Sequence, residues 1–353
     1  MTKHSNASET KPEMLHVKIL GVGGTGILAL QDVVRSLSDV SELNDAEISL
    51  EFWALDSDLG PRTGTTNVRF MQLGPAIMHG NGTRGDRDLG RQAALESRAE
   101  ILELLSGASL VFILAGASGG IGAGATPVIA EMSQALRSAP GYWQDRRTDI
   151  AQRVPTLAYL MSLTRGEPSS NDQTWLPALD DLRGKVDSLV MLSLDDSTPE
   201  TSRSATSRLI ERDIQLILHL AFIPGLIGVD FSDVRSHLLD HRGFGSLALG
   251  QASGDNRAAK AAQQAVKSAS LRNSIKKGTS VLVLVKGGSD LTRYEVNEAA
   301  EVIYDAANQE ADIIFGASPY MQSPGELEVV VHVTGLPSIH AMNTGTIDEV
   351  NWT

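Results

Sequence analysis

The residues of this chain whose spacing could do chemistry are its glycines. Of the 33 glycines in 353 residues, 13 fall within residues 21–26, 80–90 and 116–124. Clusters of this kind are typical of backbone that approaches a ligand closely or adopts positive φ. Backbone N–H groups in such segments, together with the N-terminus of a following helix, bind anionic oxygens without any side chain. The spacing therefore predicts a phosphate-binding site.

The first cluster alone is a weak signal. Gly21-x-Gly23-x-x-Gly26 matches a dinucleotide fingerprint, but a tight turn with close helix–strand packing explains it about as well. A second glycine-rich run, from Ser118 to Gly124, is what favours phosphate. Asp56 could accept hydrogen bonds from ribose hydroxyls, although it follows Gly26 by more than the roughly 20 residues usual for such a site. The alternative for Asp56 is a solvated acid in an exposed turn.

Apolar runs and helical spacing flank these clusters and must position them. Buried strands are expected at 16–20, 52–55 and 110–115, and helices after Gly26 and from Pro127. Further strands are expected at 154–160, 186–192, 280–286 and 327–334, with further helices at 199–222 and 295–307. Such alternation predicts an α/β fold with a parallel sheet, and places all three glycine clusters at or near the carboxyl edge of its strands.

Composition excludes several function classes. The chain has no cysteine, so it has no disulfide framework, cysteine nucleophile, zinc finger or iron–sulfur site. Its net charge of −13 argues against nucleic acid as a main partner. No apolar run approaches the 18–20 residues or so that span a membrane, and the polar N-terminus does not resemble a signal peptide. We therefore expect a cytoplasmic protein that is not inserted in a membrane.

Seven stretches are characteristic when taken together, although none is specific alone. They are GVGGTG, GTRGDRDLGRQAALES, SGGIGAGATPVIAE, PGLIGVDFSDVR, LGQASGDNRAAKAAQQAV, GGSDLTRYEVNEAAEVI and ADIIFGA. Between about Val17 and Gly335 they resemble, in order, stretches of the FtsZ/tubulin family, and of bacterial FtsZ most closely.

The resemblance implies a Rossmann-like GTPase domain with a parallel sheet, a long central helix and a second, chorismate-mutase-like α/β domain. The expected limits are a disordered N-terminus at 1–14, a nucleotide-binding domain at 15–198, the central helix at 199–223, a C-terminal activation domain at 224–340 and a short tail at 341–353.

The resemblance also implies a cytoskeletal GTPase that polymerises head-to-tail, as FtsZ does in cell division. GTP, with Mg²⁺, would lie between subunits and be hydrolysed to GDP with the acids of the neighbour's synergy loop, here Asp230 and Asp233. On spacing alone, these two acids could equally cap a helix. The nucleotide-binding residues that the resemblance implies are Gly23, Gly24, Thr25, Gly26, Asp56, Gly82, Thr83, Arg84, Gly119, Gly120, Ile121, Gly122, Glu167, Arg203 and Ser207. No metal ligand is assigned.

Several positions depart from the family pattern. Gly228 replaces the synergy-loop Asn, Ile121 replaces a Thr beside the phosphates, and Asn171 stands where FtsZ has a phosphate-facing Arg. The base-reading positions are Leu28, Leu194, Arg203, Ser207 and Arg208. A guanine edge without partners costs about 1–3 kcal/mol per buried group, although an arginine can stack on a base. The identity of the base therefore stays open.

Two alternatives follow from these departures and from the first cluster. One is a divergent paralogue that forms filaments, or partners another FtsZ, with weak, altered or no hydrolysis. The other, an NAD-type dehydrogenase, explains only the first glycine cluster.

Residues 138–153 look like an insertion, either a surface excursion or a contact with a filament or partner. The C-terminal peptide by which FtsZ binds membrane adaptors is not visible, and we expect no recruitment by that route.

Overall fold

The computed structural model describes residues 14–38, 48–58, 67–136, 153–162, 176–193, 199–223, 225–227, 229–319 and 325–337. Side chains are described in these ranges except at 193 and 199–204. The expected disordered N-terminus, apart from Met14, and the tail after 340 lie outside the described residues. The insertion expected at 138–153 also lies outside them, except for Arg153.

Strands and helices alternate along the chain. The strands are β1 (Leu15–Val22), β2 (Ile48–Asp56), β3 (Val68–Gln72), β4 (Leu110–Gly116), β5 (Thr156–Ser162), β6 (Ser188–Ser193), β7 (Gly243–Ser253), β8 (Ser280–Gly287), β9 (Asp312–Ser318) and β10 (Glu326–Leu336). The helices are α1 (Gly23–Ser38), α2 (Pro75–Met78), α3 (Arg87–Glu96), α4 (Arg98–Leu105), α5 (Gly120–Ala135), α6 (Leu176–Leu182), α7 (Pro199–Phe222), α8 (Phe231–Asp240), α9 (Arg257–Lys267) and α10 (Arg293–Ala306).

The strands form one sheet in the order β3-β2-β1-β4-β5-β6-β7-β10-β8-β9. The first six strands pair in parallel and follow the doubly wound order 3-2-1-4-5-6. In that order the connections reverse direction between β1 and β4, and ligands of such sheets bind beyond the carboxyl ends at this point. Both glycine-rich junctions, after β1 and after β4, lie there.

A second group of strands extends the same sheet. β7 pairs with β6 in parallel over three residues, and β10 pairs with β7 and β8 in antiparallel. One face of the sheet is covered by α3, α4, α5, α6, α9 and α10, and the other by α1, α7 and α8. The α/β fold class expected from the alternation of strands and helices is confirmed.

The start of α5 differs from the sequence-based expectation. A helix was expected to begin near Pro127, but α5 begins at Gly120 and contains Pro127 in its interior. The helix begins early because its first turns pack directly on α3, where a Cβ on Gly120 would overlap the Asp86 carbonyl and one on Gly124 the Arg87 carbonyl. Gly120 and Gly124 therefore lie in helix turns rather than in the expected loop.

A fully buried polar quartet joins the first six strands, α7 and the second group of strands. The Tyr159 hydroxyl donates to Asp213 Oδ2 at 2.5 Å, and His332 Nδ1 lies 2.9 Å from Asp213 Oδ1. Ser188 Oγ lies 3.1 Å from His332 Nε2. Burial, followed by the charge of Asp213, raises the pKa of Tyr159 well above its usual value. The four residues lie on β5, β6, α7 and β10, so they tie the central helix to both parts of the sheet.

Candidate functional site

The junction of β1 and α1 brings backbone close to the end of β4. Gly23 has a φ of 70°, which an L side chain rarely adopts, and a Cβ there would lie 2.9 Å from the Gly122 amide nitrogen. A Cβ on Gly26 would overlap the carbonyl oxygen of Leu114 on β4. Gly24 and Thr25 are partly exposed in the same turn. The packing explanation considered for this cluster is therefore correct for Gly26, while Gly24 and Thr25 remain accessible to a ligand.

The N-terminus of α5 faces open space. Its N-cap, Gly119, is exposed, and a Cβ there would meet no atom of the described residues within 4 Å. Neither a capping side chain nor an acidic residue serves the first turn of α5 within the described part of the chain. Ile121, in that turn, is buried and offers no hydroxyl. Free N–H groups and the helix dipole make this end suited to an anion.

The turn before α3 lies against the start of α5 and near the end of β2. Thr83 is buried, and its hydroxyl occupies the place that a Cβ on Gly120 would take. A Cβ on Gly82 would lie 2.9 Å from a carboxylate oxygen of Asp58, after the end of β2. Arg84 is exposed with a φ of 54°. Gly82, Thr83 and Arg84 thus share one edge with the glycines of α1 and α5.

The end of β2 supplies buried oxygen atoms at the same edge. Asp56 is only 5% exposed, and its Oδ1 accepts from the Ser57 amide at 2.8 Å. The alternative of a solvated acid in an exposed turn is therefore wrong. The Ser57 hydroxyl is fully buried and has no hydrogen-bond partner within the described residues. Sequence reasoning missed Ser57, for which the only signal was its place directly after Asp56.

Five other positions singled out in the sequence have no described side chain. Glu167, Asn171, Leu194 and Gly228 lie outside the described residues, and Arg203 lies in α7 without a described side chain.

On the described part of α7, Ser207 is buried and its hydroxyl has no hydrogen-bond partner within the described residues, whereas Arg208 is exposed. On α1, Leu28 is 40% exposed. A base contact at these three positions stays a prediction.

The two expected synergy-loop acids lie at the opposite edge of the sheet. β6 and β7 are parallel, so α7 and α8 cross from the carboxyl edge back to the amino edge before β7 begins. Arg235 of α8 accordingly donates to the Arg153 carbonyl just before β5. Asp230 and Asp233 are both exposed at the start of α8. Asp230 occupies the N-cap position but makes no side-chain capping bond within the described residues.

This geometry sets what one chain can do. We call the carboxyl edge of the sheet that carries the glycines of α1 and α5 the glycine edge. A strand of seven residues is about 23 Å long, so the two acids and the glycine edge of one molecule lie too far apart to contact one ligand. The glycine edge can hold an anion through backbone N–H groups, and the two acids cannot reach that anion within one molecule. Among the described residues, no group of three or more His, Asp or Glu side chains could hold a metal ion.

The chain matches known families over both groups of strands. A model of the Tubulin/FtsZ family GTPase domain matches residues 16–140, and a model of the FtsZ family C-terminal domain matches residues 243–337. The chain belongs to the FtsZ/tubulin family. The first model covers the glycine edge from β1 through α5, so GTP/GDP binding, usually with Mg²⁺, is implied for that domain.

Solved FtsZ and CetZ structures share the fold. A point mutant of FtsZ from M. jannaschii is 22% identical with a TM-score of 0.75, covering 91% of each chain. An empty FtsZ dimer from M. jannaschii is 23% identical with a TM-score of 0.75, covering 93% of this chain and 89% of the other. A GTPγS-bound protofilament of CetZ2 from Haloferax volcanii is 20% identical with a TM-score of 0.68, covering 90% and 92%. At these identities the likeness concerns the fold of this FtsZ-like chain. The domain limits expected at 198 and 223 stay a prediction.

None of the helices in the described ranges is both long and apolar enough to cross a bilayer.

Proposed function

We propose that this FtsZ-like chain is a filament-forming GTPase whose active site is completed by a second copy. The observation that carries the proposal is the placement of two half-sites at opposite edges of one sheet. A glycine edge that suits a triphosphate lies at one edge, and the exposed acids Asp230 and Asp233 lie at the other. Head-to-tail stacking would bring the acids of one molecule onto the glycine edge of the next, and this heterologous contact repeats into a filament.

The glycine edge would hold the phosphates. The first turns of α1 and α5 supply N–H groups around Gly24 and Gly119, and the turn at Thr83 and Arg84 adds a hydroxyl and a cation. Mg²⁺, when bound with the nucleotide, would neutralise phosphate charge. Asp56 and Ser57 offer oxygen atoms for the ribose at the end of β2.

The neighbour's acids would act on water. A carboxylate of Asp230 or Asp233 accepts a hydrogen bond from the attacking water and orients its oxygen toward the γ-phosphorus. The water oxygen bonds to that phosphorus and passes a proton to the phosphate that it joins, while the bond from the phosphorus to the bridging oxygen breaks. GDP and inorganic phosphate then leave. Charge that develops on the phosphate oxygens is held by backbone N–H groups of the glycine edge.

A second candidate is a paralogue that polymerises, alone or with another FtsZ, with weak or no hydrolysis. The buried Ile121 in place of a phosphate-side hydroxyl favours it, as does the exposed Leu28 at a base-reading position. Denaturing freshly purified protein and identifying what it releases distinguishes the two candidates. We expect a guanine nucleotide, and filaments that form without any bound nucleotide would favour the paralogue.

A charge introduced at Gly119 tests whether the glycine edge forms a cradle for the phosphates. Aspartate suits this N-cap because the φ of −84° and ψ of 146° are compatible and no described atom obstructs a side chain. Gly119→Asp should therefore fold at least as stably as wild type, yet repel phosphate and reduce nucleotide affinity by about tenfold or more. Gly119→Asn, a neutral control of the same shape, should retain most of the affinity. Equal affinities of the two variants for GTP would contradict the proposed cradle.

A further inference from the structure

Charge is segregated sharply along two neighbouring stretches of the chain. Residues 256–289 contain seven Lys and Arg residues and no Asp or Glu, whereas residues 290–312 contain seven Asp and Glu residues and one Arg. A stretch of charge +7 stands out in a chain whose net charge is −13. The first stretch contains α9 and the second contains α10.

The fold places these two helices side by side on one face of the sheet. β7 and β8 are both antiparallel to β10, and β8 is parallel to β9, so α9 and α10 are successive crossovers that run in the same direction. Both contribute buried side chains to the same core, including Ala261 and Ala299. Their opposite sides face outward as one surface, basic along α9 and acidic along α10.

The basic half of this surface is exposed. Arg257 is bonded to Asp290 and Glu295, and Lys286 is buried, so five of the seven cations remain at least partly at the surface. Lys260 and Lys267 lie on α9 itself, and Arg272, Lys276 and the partly exposed Lys277 follow it. Within the described part of the chain, Lys267, Arg272 and Lys276 form no ion pair.

The acidic half follows a single stripe of α10. Tyr294, Glu298, Glu301 and Asp305 are spaced at four, three and four residues, which places them on one side of a helix. Tyr294 is 71% exposed, and Tyr304 beside the stripe is 55% exposed. None of the three acids forms an ion pair with another described residue. The stripe therefore combines three acids with two exposed aromatic rings.

We propose that the outward surface of α9 and α10, the charged band, binds the charged band of a second copy about a two-fold axis. A two-fold axis parallel to the helices sets α9 of one copy against α10 of the other, both running in the same direction, and does so twice. Lys260 and Lys267 are seven residues apart, as are Glu298 and Asp305, and seven residues of helix rise about 10.5 Å. Lys260 then faces Glu298, and Lys267 faces Asp305. The ion pair of Arg257 with Glu295 sets this relative level of the two helices.

The positive charge of α9 beside the negative charge of α10 favours a second copy of the chain as the partner. A nucleic acid or an anionic membrane would be attracted to α9 but repelled by α10 beside it, and a basic partner would meet the reverse. A copy rotated by the two-fold axis presents the opposite sign to both helices at once. The exposed tyrosines would add apolar contact, which charged pairs at a surface need because each contributes only about 0.2–1 kcal/mol.

This contact goes beyond the proposed GTPase and is independent of it. It uses neither the glycine edge nor the start of α8, so it should form without nucleotide. In filaments it would join two neighbouring filaments side by side.

Sedimentation velocity of the nucleotide-free full chain tests the proposal through two charge-reversed variants. One carries Lys260→Glu and Lys267→Glu, and the other carries Glu298→Lys and Asp305→Lys. Each alone should weaken dimerisation by about tenfold or more, because like charges then face each other at every pair. Mixing the two variants should restore the dimer, since both contacts of the mixed pair are again complementary.

A matched control and salt complete the experiment. Arg35→Glu with Arg98→Glu changes the net charge as much as the first variant, at exposed sites outside the charged band, and should leave the dimer intact. Raising ionic strength from about 0.15 M to 0.5 M should weaken the wild-type dimer. The proposal is overturned if the wild-type chain is a monomer at about 100 μM, if either variant dimerises like wild type, or if mixing fails to restore the dimer.

Discussion

Removing the carboxylate of Asp213 should strongly destabilise the fold, because this residue accepts two of the three hydrogen bonds that join the buried quartet. The Tyr159 hydroxyl and His332 Nδ1 approach its two oxygens at 2.5 and 2.9 Å, and all three side chains are fully buried. In Asp213→Ala both donors lose their acceptor, and each buried unsatisfied donor costs about 1–3 kcal/mol. The expected loss in the free energy of unfolding is therefore about 2–6 kcal/mol.

Asp213→Asn provides the matched comparison. The amide oxygen can accept from Tyr159, and the amide nitrogen can donate to His332 if the imidazole carries its proton on Nε2 and donates to Ser188. Every group then keeps a partner, so the loss should stay below about 1.5 kcal/mol.

Urea unfolding followed by circular dichroism measures both variants, provided that their m-values equal that of wild type. The reasoning fails if Asp213→Ala costs less than about 1 kcal/mol, or if the two substitutions cost the same. The first result would mean that the buried donors find other partners. The second would mean that losing both hydrogen bonds costs no more stability than replacing the carboxylate by an amide that keeps them.

Two further predictions concern the glycine edge and pH. In Gly26→Ala the new methyl group overlaps the Leu114 carbonyl, so the free energy of unfolding should fall by more than about 2 kcal/mol in thermal unfolding. Gly119→Ala, where space is open, should lose less than about 1 kcal/mol. Equal losses in the two variants would contradict the packing. Burial, followed by the charges of Lys286 and Arg212, lowers the pKa of His219 from 6.5 to about 4. The unfolded chain therefore binds a proton more readily between these values, so stability should fall by up to about 1.4 kcal/mol per pH unit as pH drops from 6.5 to 4. His219→Asn should flatten that dependence, and an unchanged slope in urea titrations would refute the assignment.

Local signals in the sequence predicted much of the fold. The apolar run at 16–20 lies inside β1, and the helical spacing at 199–222 gave α7 with its observed limits. Both are short-range patterns, since strands and amphipathic helices are encoded by residues close in sequence. The start of α5 was not predictable in the same way, because the glycines at 120 and 124 take their role from packing against α3.

The candidate site was only partly accessible to sequence reasoning. The glycine clusters indicated which backbone lies near the ligand, and the doubly wound order explains why they share one edge. The burial of Asp56 and Ser57 depends on packing by segments distant in the sequence, which no local pattern encodes. The same holds for the quartet, in which Asp213 and His332 are 119 residues apart.

A complementation assay tests most directly whether the active site forms between two copies. One variant carries Asp230→Ala and Asp233→Ala and keeps the glycine edge; the other carries Gly119→Asp and keeps the acids. Each alone should release little phosphate from GTP. Since a head-to-tail contact takes its nucleotide edge from one chain and its acids from the next, an equal mixture should recover about a quarter of wild-type phosphate release. A mixture as inactive as its components, or full activity in the first variant alone, would contradict a shared site.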